Sequence, residues 1–161
     1  MEQNSPMPES RERTEEGRAD AAEASEPSPA ELDERMRLAL HAASEKKAHD
    51  LVVLDLREVA SFTDYFFIAS GTNVRQVQAI ADAVQEQLRK QLRVKPARIE
   101  GYNSAEWVLL DYGDFIFHVF EEKSRRFYDL ERLWRDAARV PLPPEPSAGE
   151  GAGGGSLRDE R

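Results

Sequence analysis

Few residues of this chain have the types and spacing that catalysis requires. The imidazoles are His41, His49 and His118, and no two of them are spaced as a pair. His118 lies between apolar neighbours in a strand-like run, which favours a hydrogen-bonded core histidine over a general base. The sequence contains no Gly-x-Ser-x-Gly nucleophile elbow, no Walker-type Gly-Lys-Ser motif and no cysteine. We therefore predict no catalytic residues and a protein that is not an enzyme.

Carboxylates near predicted strand ends are the remaining candidates for metal chemistry. Asp55 ends the first predicted strand, and Asp111 and Asp114 flank a glycine-containing turn. A magnesium site for nucleotidyl transfer needs two carboxylates that alternate on one strand, as in Asp-x-Asp. No such pair is present in the sequence. We predict neither a metal nor a cofactor.

The segment Ser70-Gly71-Thr72-Asn73 could hold an anion on its backbone amides, because it follows a predicted strand and opens a helix. It has a single glycine and no neighbouring lysine, which favours a tight, capped strand-to-helix turn. A nucleotide-binding enzyme related to nucleotidyltransferases, with its site at residues 70–73, is the alternative that these residues leave open.

The hydrophobic pattern predicts the elements that must position any site. Asn73 with Gln76, and Ser28 with Glu31, have the spacing of helix caps. The fold class expected is α/β (α+β), a single domain with a mixed five-stranded sheet and flanking helices. Helices are predicted at about 29–47, 73–93 and 121–139, and strands at 50–56, 64–70, 97–102, 107–110 and 115–120.

Two predicted elements carry more detailed expectations. The strand at 115–120 is apolar on both of its faces, so we expect it to be covered on both sides. The last helix should place one apolar stripe on the core. The members of that stripe are Phe127, Leu130, Leu133, Trp134 and Ala137.

The acidic charge of the chain is concentrated at its ends. The net charge is −9, and residues 1–30 carry eight acidic side chains against three arginines. Residues 1–27 are almost without apolar side chains and residues 141–161 are rich in Pro and Gly, so we predict disordered tails on either side of one domain at 28–140. The middle of the chain is close to neutral, so no specific nucleic-acid partner is expected.

Nothing in the sequence indicates secretion or a membrane partner. No apolar run approaches the ~18 residues of a membrane span. The first residues lack the basic start and apolar stretch of a secretory signal. The lack of cysteine suits a reducing compartment, and a cytoplasmic protein is expected.

The stretch 101–128 combines residues that anchor protein interfaces. Trp107 begins a predicted hairpin strand, and Arg125, Arg126 and Tyr128 lie on the helix that follows the hairpin. Trp, Tyr and Arg are enriched among interface anchors. The two arginines could contact phosphate, or could pair with glutamates four residues earlier in the helix. Without a catalytic set, a binding module is the favoured interpretation.

Four motifs in this order resemble the ribosomal silencing factor family, also called iojap-related, over residues 31–136. The motifs are Asp64-Tyr65-Phe66-Phe67-Ile68-Ala69-Ser70-Gly71-Thr72, Gly101-Tyr102-Asn103-Ser104-Ala105-Glu106-Trp107, Asp111-Tyr112-Gly113-Asp114 with His118-Val119-Phe120, and Ser124-Arg125-Arg126-Phe127-Tyr128-Asp129-Leu130-Glu131-Arg132-Leu133-Trp134. The resemblance implies a nucleotidyltransferase-like topology without the catalytic carboxylates.

The resemblance also implies a function. Family members bind the large ribosomal subunit through the ribosomal protein that is fourteenth in its standard numbering, at the face that meets the small subunit. They thereby block subunit association and repress translation when nutrients are short, as in stationary phase. A large-subunit assembly factor would use the same surface and is a further alternative, and a homodimer that competes with ribosome binding is compatible with the resemblance.

By position, Trp107 and Tyr128 resemble the family's aromatic contacts with that ribosomal protein. We add Glu106, Glu121 and Arg125 as polar contacts, because the target surface should be basic. The neighbouring Asn103 and Ser104 are expected to shape the turn before the tryptophan.

Overall fold

The computed structural model describes residues 32–142 of the chain. The predicted tail at 1–27 lies outside the described residues, as does the predicted tail at 141–161 from residue 143 onward. The helices are α1 (Glu34–Glu45), α2 (Val74–Leu92), α3 (Glu122–Tyr128) and α4 (Leu130–Leu133), and the strands are β1 (His49–Asp55), β2 (Tyr65–Gly71), β3 (Arg98–Glu100), β4 (Trp107–Asp111), β5 (Phe115–Glu121) and β6 (Ala138–Arg139).

The strands form one mixed sheet in the order β3-β4-β5-β2-β1-β6. The central pair, β2 and β5, is parallel and runs in register from Tyr65 opposite Phe115 to Gly71 opposite Glu121. The other neighbouring pairs are antiparallel. The predicted mixed α/β domain is therefore confirmed, with a two-residue sixth strand that the sequence did not reveal.

Each face of the sheet has its own hydrophobic cluster. Phe115, Phe117 and Val119 of β5 belong to the cluster beneath α1 and α2. Ile116 and Phe120 belong to the cluster on the opposite face, where α3 and α4 lie. Every residue from Phe115 to Phe120 is buried, so the prediction that this strand is covered on both sides is confirmed.

The two long helices differ in how well their starts were predicted. The side chain of Asn73 caps α2 by accepting a hydrogen bond from the Gln76 N–H at 2.8 Å, as the sequence predicts. In α1 the cap is Asp33, whose carboxylate accepts from the Met36 N–H at 3.0 Å. The predicted start at residue 29 is therefore wrong, because Asp33 is an effective cap and buried Leu32 precedes it. The predicted cap at Ser28 lies outside the described residues.

The predicted single helix at 121–139 is also wrong. Asp129 has a left-handed φ of 51°, which ends α3 and separates it from α4. Aspartate tolerates this conformation better than most residues. The chain then adds β6 to the sheet beside β1. The kink rotates the expected apolar stripe, so Leu130 is buried while Phe127 and Leu133 are 80% and 74% exposed.

Candidate docking site

The candidate site is built where β5 runs directly into α3. The carboxylate of Glu121 caps that helix by accepting from the N–H groups of Lys123 at 3.0 Å and Ser124 at 3.3 Å. Its own N–H donates to the Glu106 carbonyl at 3.0 Å, which ties the helix start to the beginning of β4. The two strands and the helix therefore hold their side chains in a fixed relation.

Trp107 is the centre of an aromatic cluster at this junction. Its ring centroid lies 4.8 Å from that of Phe120 beneath it and 4.8 Å from that of Tyr128 on α3. Its indole Nε1–H donates to Nδ1 of His118 at 3.0 Å. The side chain is half-buried, so it serves the core and also supports a surface residue.

The turn before Trp107 requires a glycine. Gly101 has a φ of +80°, and a Cβ placed there would lie 2.1 Å from the Trp107 carbonyl oxygen. The turn is closed by the Ala105 N–H, which donates to the Gly101 carbonyl at 2.9 Å. Asn103 and Ser104 lie in this turn, so their predicted structural role is confirmed.

His118 is a core residue, as the sequence predicts. It is buried beneath Trp107 and meets the Phe66 ring edge-on at a centroid distance of 4.5 Å. Its Nε2 has no hydrogen-bond partner within the described part of the chain. Burial lowers the pKa of this imidazole to about 3, so it is neutral at physiological pH. It stabilises the floor of the site in its uncharged form.

Arg125 is buried beneath α3. Its guanidinium donates to the Ser70 Oγ at 2.8 Å, to the Asp50 carbonyl and to the Glu131 carboxylate at 2.8 Å. The predicted intrahelical pairing with Glu121 is therefore wrong for this arginine. Its predicted contact with a partner stays a prediction, and its hydrogen bonds are made within the fold.

The Glu131 carboxylate responds to this arrangement. Its partial burial alone would raise its pKa, but the hydrogen bond and positive charge of Arg125 outweigh burial and hold the pKa below its usual range. The ion pair joins α3 to α4 across the kink at Asp129.

The other predicted site residues are Tyr128 in the cluster and two glutamates at the ends of the elements that carry it. Tyr128 is 45% exposed, Glu106 is exposed, and Glu121 is half-buried as a helix cap. Phe127 and Leu133, which the sequence pattern places in the core, are exposed beside the cluster. The signal that could have placed them outside is Asp129, because aspartate tolerates the left-handed conformation that ends many helices.

The turn after β2 is occupied by contacts within the chain. The Thr72 N–H donates to the Gln76 side chain at 2.7 Å, and the Ser70 hydroxyl accepts from Arg125. These contacts favour the capped turn over the nucleotide site that the sequence left open. Among residues 32–142, no group of three or more His, Cys, Asp or Glu side chains is arranged to hold a metal. Within the same range, no helix has the length and apolarity needed to cross a membrane.

These features define a mixed α/β domain whose hairpin and following helix carry exposed aromatic residues. A family model described as ribosomal silencing factor during starvation matches residues 29–154, which is more than half of the chain. The chain therefore belongs to the ribosomal silencing factor family, and the resemblance read from the four motifs is confirmed. The description of the family is not that of an enzyme.

Relatives from different sources support this assignment. A ribosomal silencing factor from Halalkalibacterium halodurans is 40% identical over 109 residues, which covers 68% of this chain and 92% of that protein. A crystal structure of a Chromobacterium violaceum protein superposes with a TM-score of 0.62 at 34% identity, covering 72% of this chain and 92% of the other. A mouse protein named mitochondrial assembly of ribosomal large subunit protein 1 is 30% identical over 93 residues, covering 56% of this chain and 40% of the mouse protein.

Proposed function

We propose that this chain is a cytoplasmic translation repressor that binds the large ribosomal subunit and keeps the small subunit from joining it. The proposed contact is the ribosomal protein that is fourteenth in the standard numbering of that subunit. The mechanism is steric and needs no catalysis, because a folded domain on the intersubunit face occupies the space where the small subunit docks. The observation that carries the proposal is the exposed aromatic surface at Tyr128, supported by Trp107, in a chain of this family.

The aromatic contacts supply the anchoring energy in this proposal. Tyr128 is 45% exposed and is held by the Trp107 ring at 4.8 Å, so little side-chain freedom is lost when a partner covers it. Tyrosine and tryptophan on a rigid support are typical interface hot spots. Trp107 therefore acts both as a contact and as the support that orients Tyr128.

Polar contacts around the anchor would set the orientation of the partner. Glu106 is exposed at the start of β4, and Glu121 lies half-buried at the start of α3. Two carboxylates beside the aromatic cluster favour a basic partner surface. Arg125 contributes indirectly in this proposal, because its bonds to Ser70 and Glu131 fix α3 in place.

Replacing Tyr128 by alanine should weaken binding to purified large subunits by about 2 kcal/mol, which is roughly thirtyfold in Kd. The side chain is nearly half exposed and makes no side-chain hydrogen bond with the described residues, so thermal stability should change little. The assay is co-sedimentation with large subunits over a range of protein concentrations. Trp107→Ala is a poorer probe, because it also removes the hydrogen bond to buried His118.

The matched control is Ile99→Ala, which truncates a 43% exposed side chain on edge strand β3. It should bind as the wild type does. Equal affinities for wild type and Tyr128→Ala, with the fold intact, would remove Tyr128 from the proposed contact surface.

A role in assembly of the large subunit is the second candidate, favoured by the name of the mouse relative. The two functions use one surface and differ in when the factor binds. Pulse-labelling of ribosomal RNA in cells that lack the protein separates them. Accumulation of immature large subunits supports assembly, whereas mature subunits that join too readily under starvation support silencing. The homodimer that is compatible with the resemblance stays a prediction, which analytical ultracentrifugation would test.

A further inference from the structure

An open groove of ≈ 620 Å³ lies beside the candidate site, along α3 and α4. Its lining includes the exposed apolar side chains of Phe127 and Leu133 and three exposed arginines. Phe127 stands perpendicular to Tyr128, with an interplanar angle of 88° and a centroid distance of 5.0 Å. The two rings therefore present their faces in different directions. Tyr128 also lines the groove, so the groove continues directly from the proposed protein contact.

The arginines of this groove have no side-chain partner within the described residues. Most other arginines there are engaged, as Arg35 is with Asp114 and Arg98 is with Glu100. The arginines of residues 32–142 without a side-chain hydrogen bond or ion pair are Arg75, Arg93, Arg126, Arg132 and Arg135. Three of these line the groove.

The local charge differs in sign from that of the whole chain. Residues 122–140 carry six basic and four acidic side chains, although the net charge of the chain is −9. Two of those acids, Asp129 and Asp136, also line the groove but form no ion pair with its arginines. The near-neutral charge of the middle of the chain as a whole conceals this basic segment.

We propose that this groove binds ribosomal RNA, with Arg126, Arg132 and Arg135 on backbone phosphates and Phe127 against an unstacked base. Guanidinium groups bind phosphate through two parallel hydrogen bonds. An exposed aromatic ring can stack on a base of any type. An acidic protein segment could pair with the arginines, but it would leave the 80% exposed ring of Phe127 without a role. The proposed contacts are to the phosphates of the RNA backbone and to the stacking face of a base, so they do not require sequence-specific recognition.

This inference rests on the proposed function for its biological setting, since the large subunit would bring RNA and protein to the two adjacent surfaces. It extends that function by giving the domain a second point of attachment. Two contacts on one rigid body bind more tightly than either alone.

The test compares the variant Arg126→Gln/Arg132→Gln/Arg135→Gln with the control Lys46→Gln/Arg75→Gln/Lys95→Gln. The control removes the same charge from exposed residues elsewhere on the domain. Binding is measured to purified large subunits, to the isolated fourteenth ribosomal protein and to a labelled single-stranded RNA of mixed sequence. Each titration is repeated between about 50 and 200 mM salt, because phosphate contacts give a salt-dependent affinity.

The groove variant should bind large subunits about tenfold more weakly and lower the slope of log affinity against log salt by about 2, since each lost phosphate contact removes roughly 0.7–0.9 of slope. It should also lose affinity for the single-stranded RNA while binding the isolated ribosomal protein as the wild type does. The control should keep both the subunit affinity and the slope of the wild type.

An unchanged salt slope would overturn the proposal. An equal loss on the isolated ribosomal protein would also overturn it, and would assign the groove to an acidic protein segment. If the wild type binds no large subunits, the proposed function fails, and the RNA titration then decides the groove. In that titration, weaker RNA binding by the groove variant than by the control variant supports the RNA contact. Equal RNA binding by the two variants rejects it.

Discussion

Replacing Arg125 by alanine should lower the free energy of unfolding by about 3 kcal/mol, as expected when one partner of a largely buried ion pair is removed. The guanidinium connects α3 to β1, β2 and α4 through the Asp50 carbonyl, Ser70 and Glu131. Its loss leaves the Glu131 carboxylate partly buried without its main counter-charge, since Arg139 lies 3.9 Å away and is exposed. The measurement is urea unfolding at neutral pH.

The adjacent arginine provides the control. Arg126→Ala removes the same side chain from the same helix, but that side chain is exposed and has no partner within the described residues. Its effect should stay within about 0.5 kcal/mol. Arg125→Lys should recover part of the loss, because it keeps the charge without the planar fork. Similar costs for Arg125→Ala and Arg126→Ala would show that the buried network does not hold α3 in place.

The second large effect is loss of stability in mild acid through His118. Burial depresses the pKa of this imidazole to about 3, whereas histidine in an unfolded chain titrates near 6.5. The unfolded state therefore binds a proton below about pH 6.5 that the folded state does not bind. Stability from this group is fully present above the unfolded pKa and is lost as the pH falls toward the folded pKa. The loss should reach about 3 kcal/mol between about pH 7.5 and about pH 4.5.

His118→Phe tests this account, because phenylalanine has a similar ring and cannot be protonated. The variant should be less stable at neutral pH, since the Trp107 N–H loses its acceptor. Its stability should fall less steeply with acid than that of the wild type. Urea unfolding of both proteins along the pH series gives the difference between their free energies of unfolding at each pH. Contributions that the two proteins share, such as that of Glu131, cancel in this difference. Parallel pH profiles would mean that His118 is hydrated or protonated in the folded state.

The sequence predicted the features that depend on local pattern. Alternating and continuous apolar runs located the five longer strands, and the cap at Asn73 located α2, because such signals involve residues close in the chain. The aromatic hairpin was found for the same reason. His118 was assigned to the core from its apolar neighbours alone, which was enough.

The features that the sequence did not predict depend on distant contacts or on one backbone angle. The kink at Asp129 is a single left-handed residue, and it moves Phe127 and Leu133 from the core to the surface. Arg125 donates to Ser70, which is 55 residues away in the sequence, and to Glu131 on the next helix. The pairing with a glutamate four residues earlier, which the sequence left open, therefore does not form. β6 is two residues long and forms only by pairing with β1, so it has no periodic signal of its own.

The most direct test of the central claim is a subunit-joining experiment. Purified large and small subunits are mixed at a magnesium concentration that favours joining, with this protein or with its Tyr128→Ala variant, and separated on a sucrose gradient. The account predicts that the wild type sediments with large subunits and keeps them apart from small subunits, and that the variant does so only at about thirtyfold higher concentration. Full joining in the presence of saturating wild-type protein would contradict the proposed silencing mechanism.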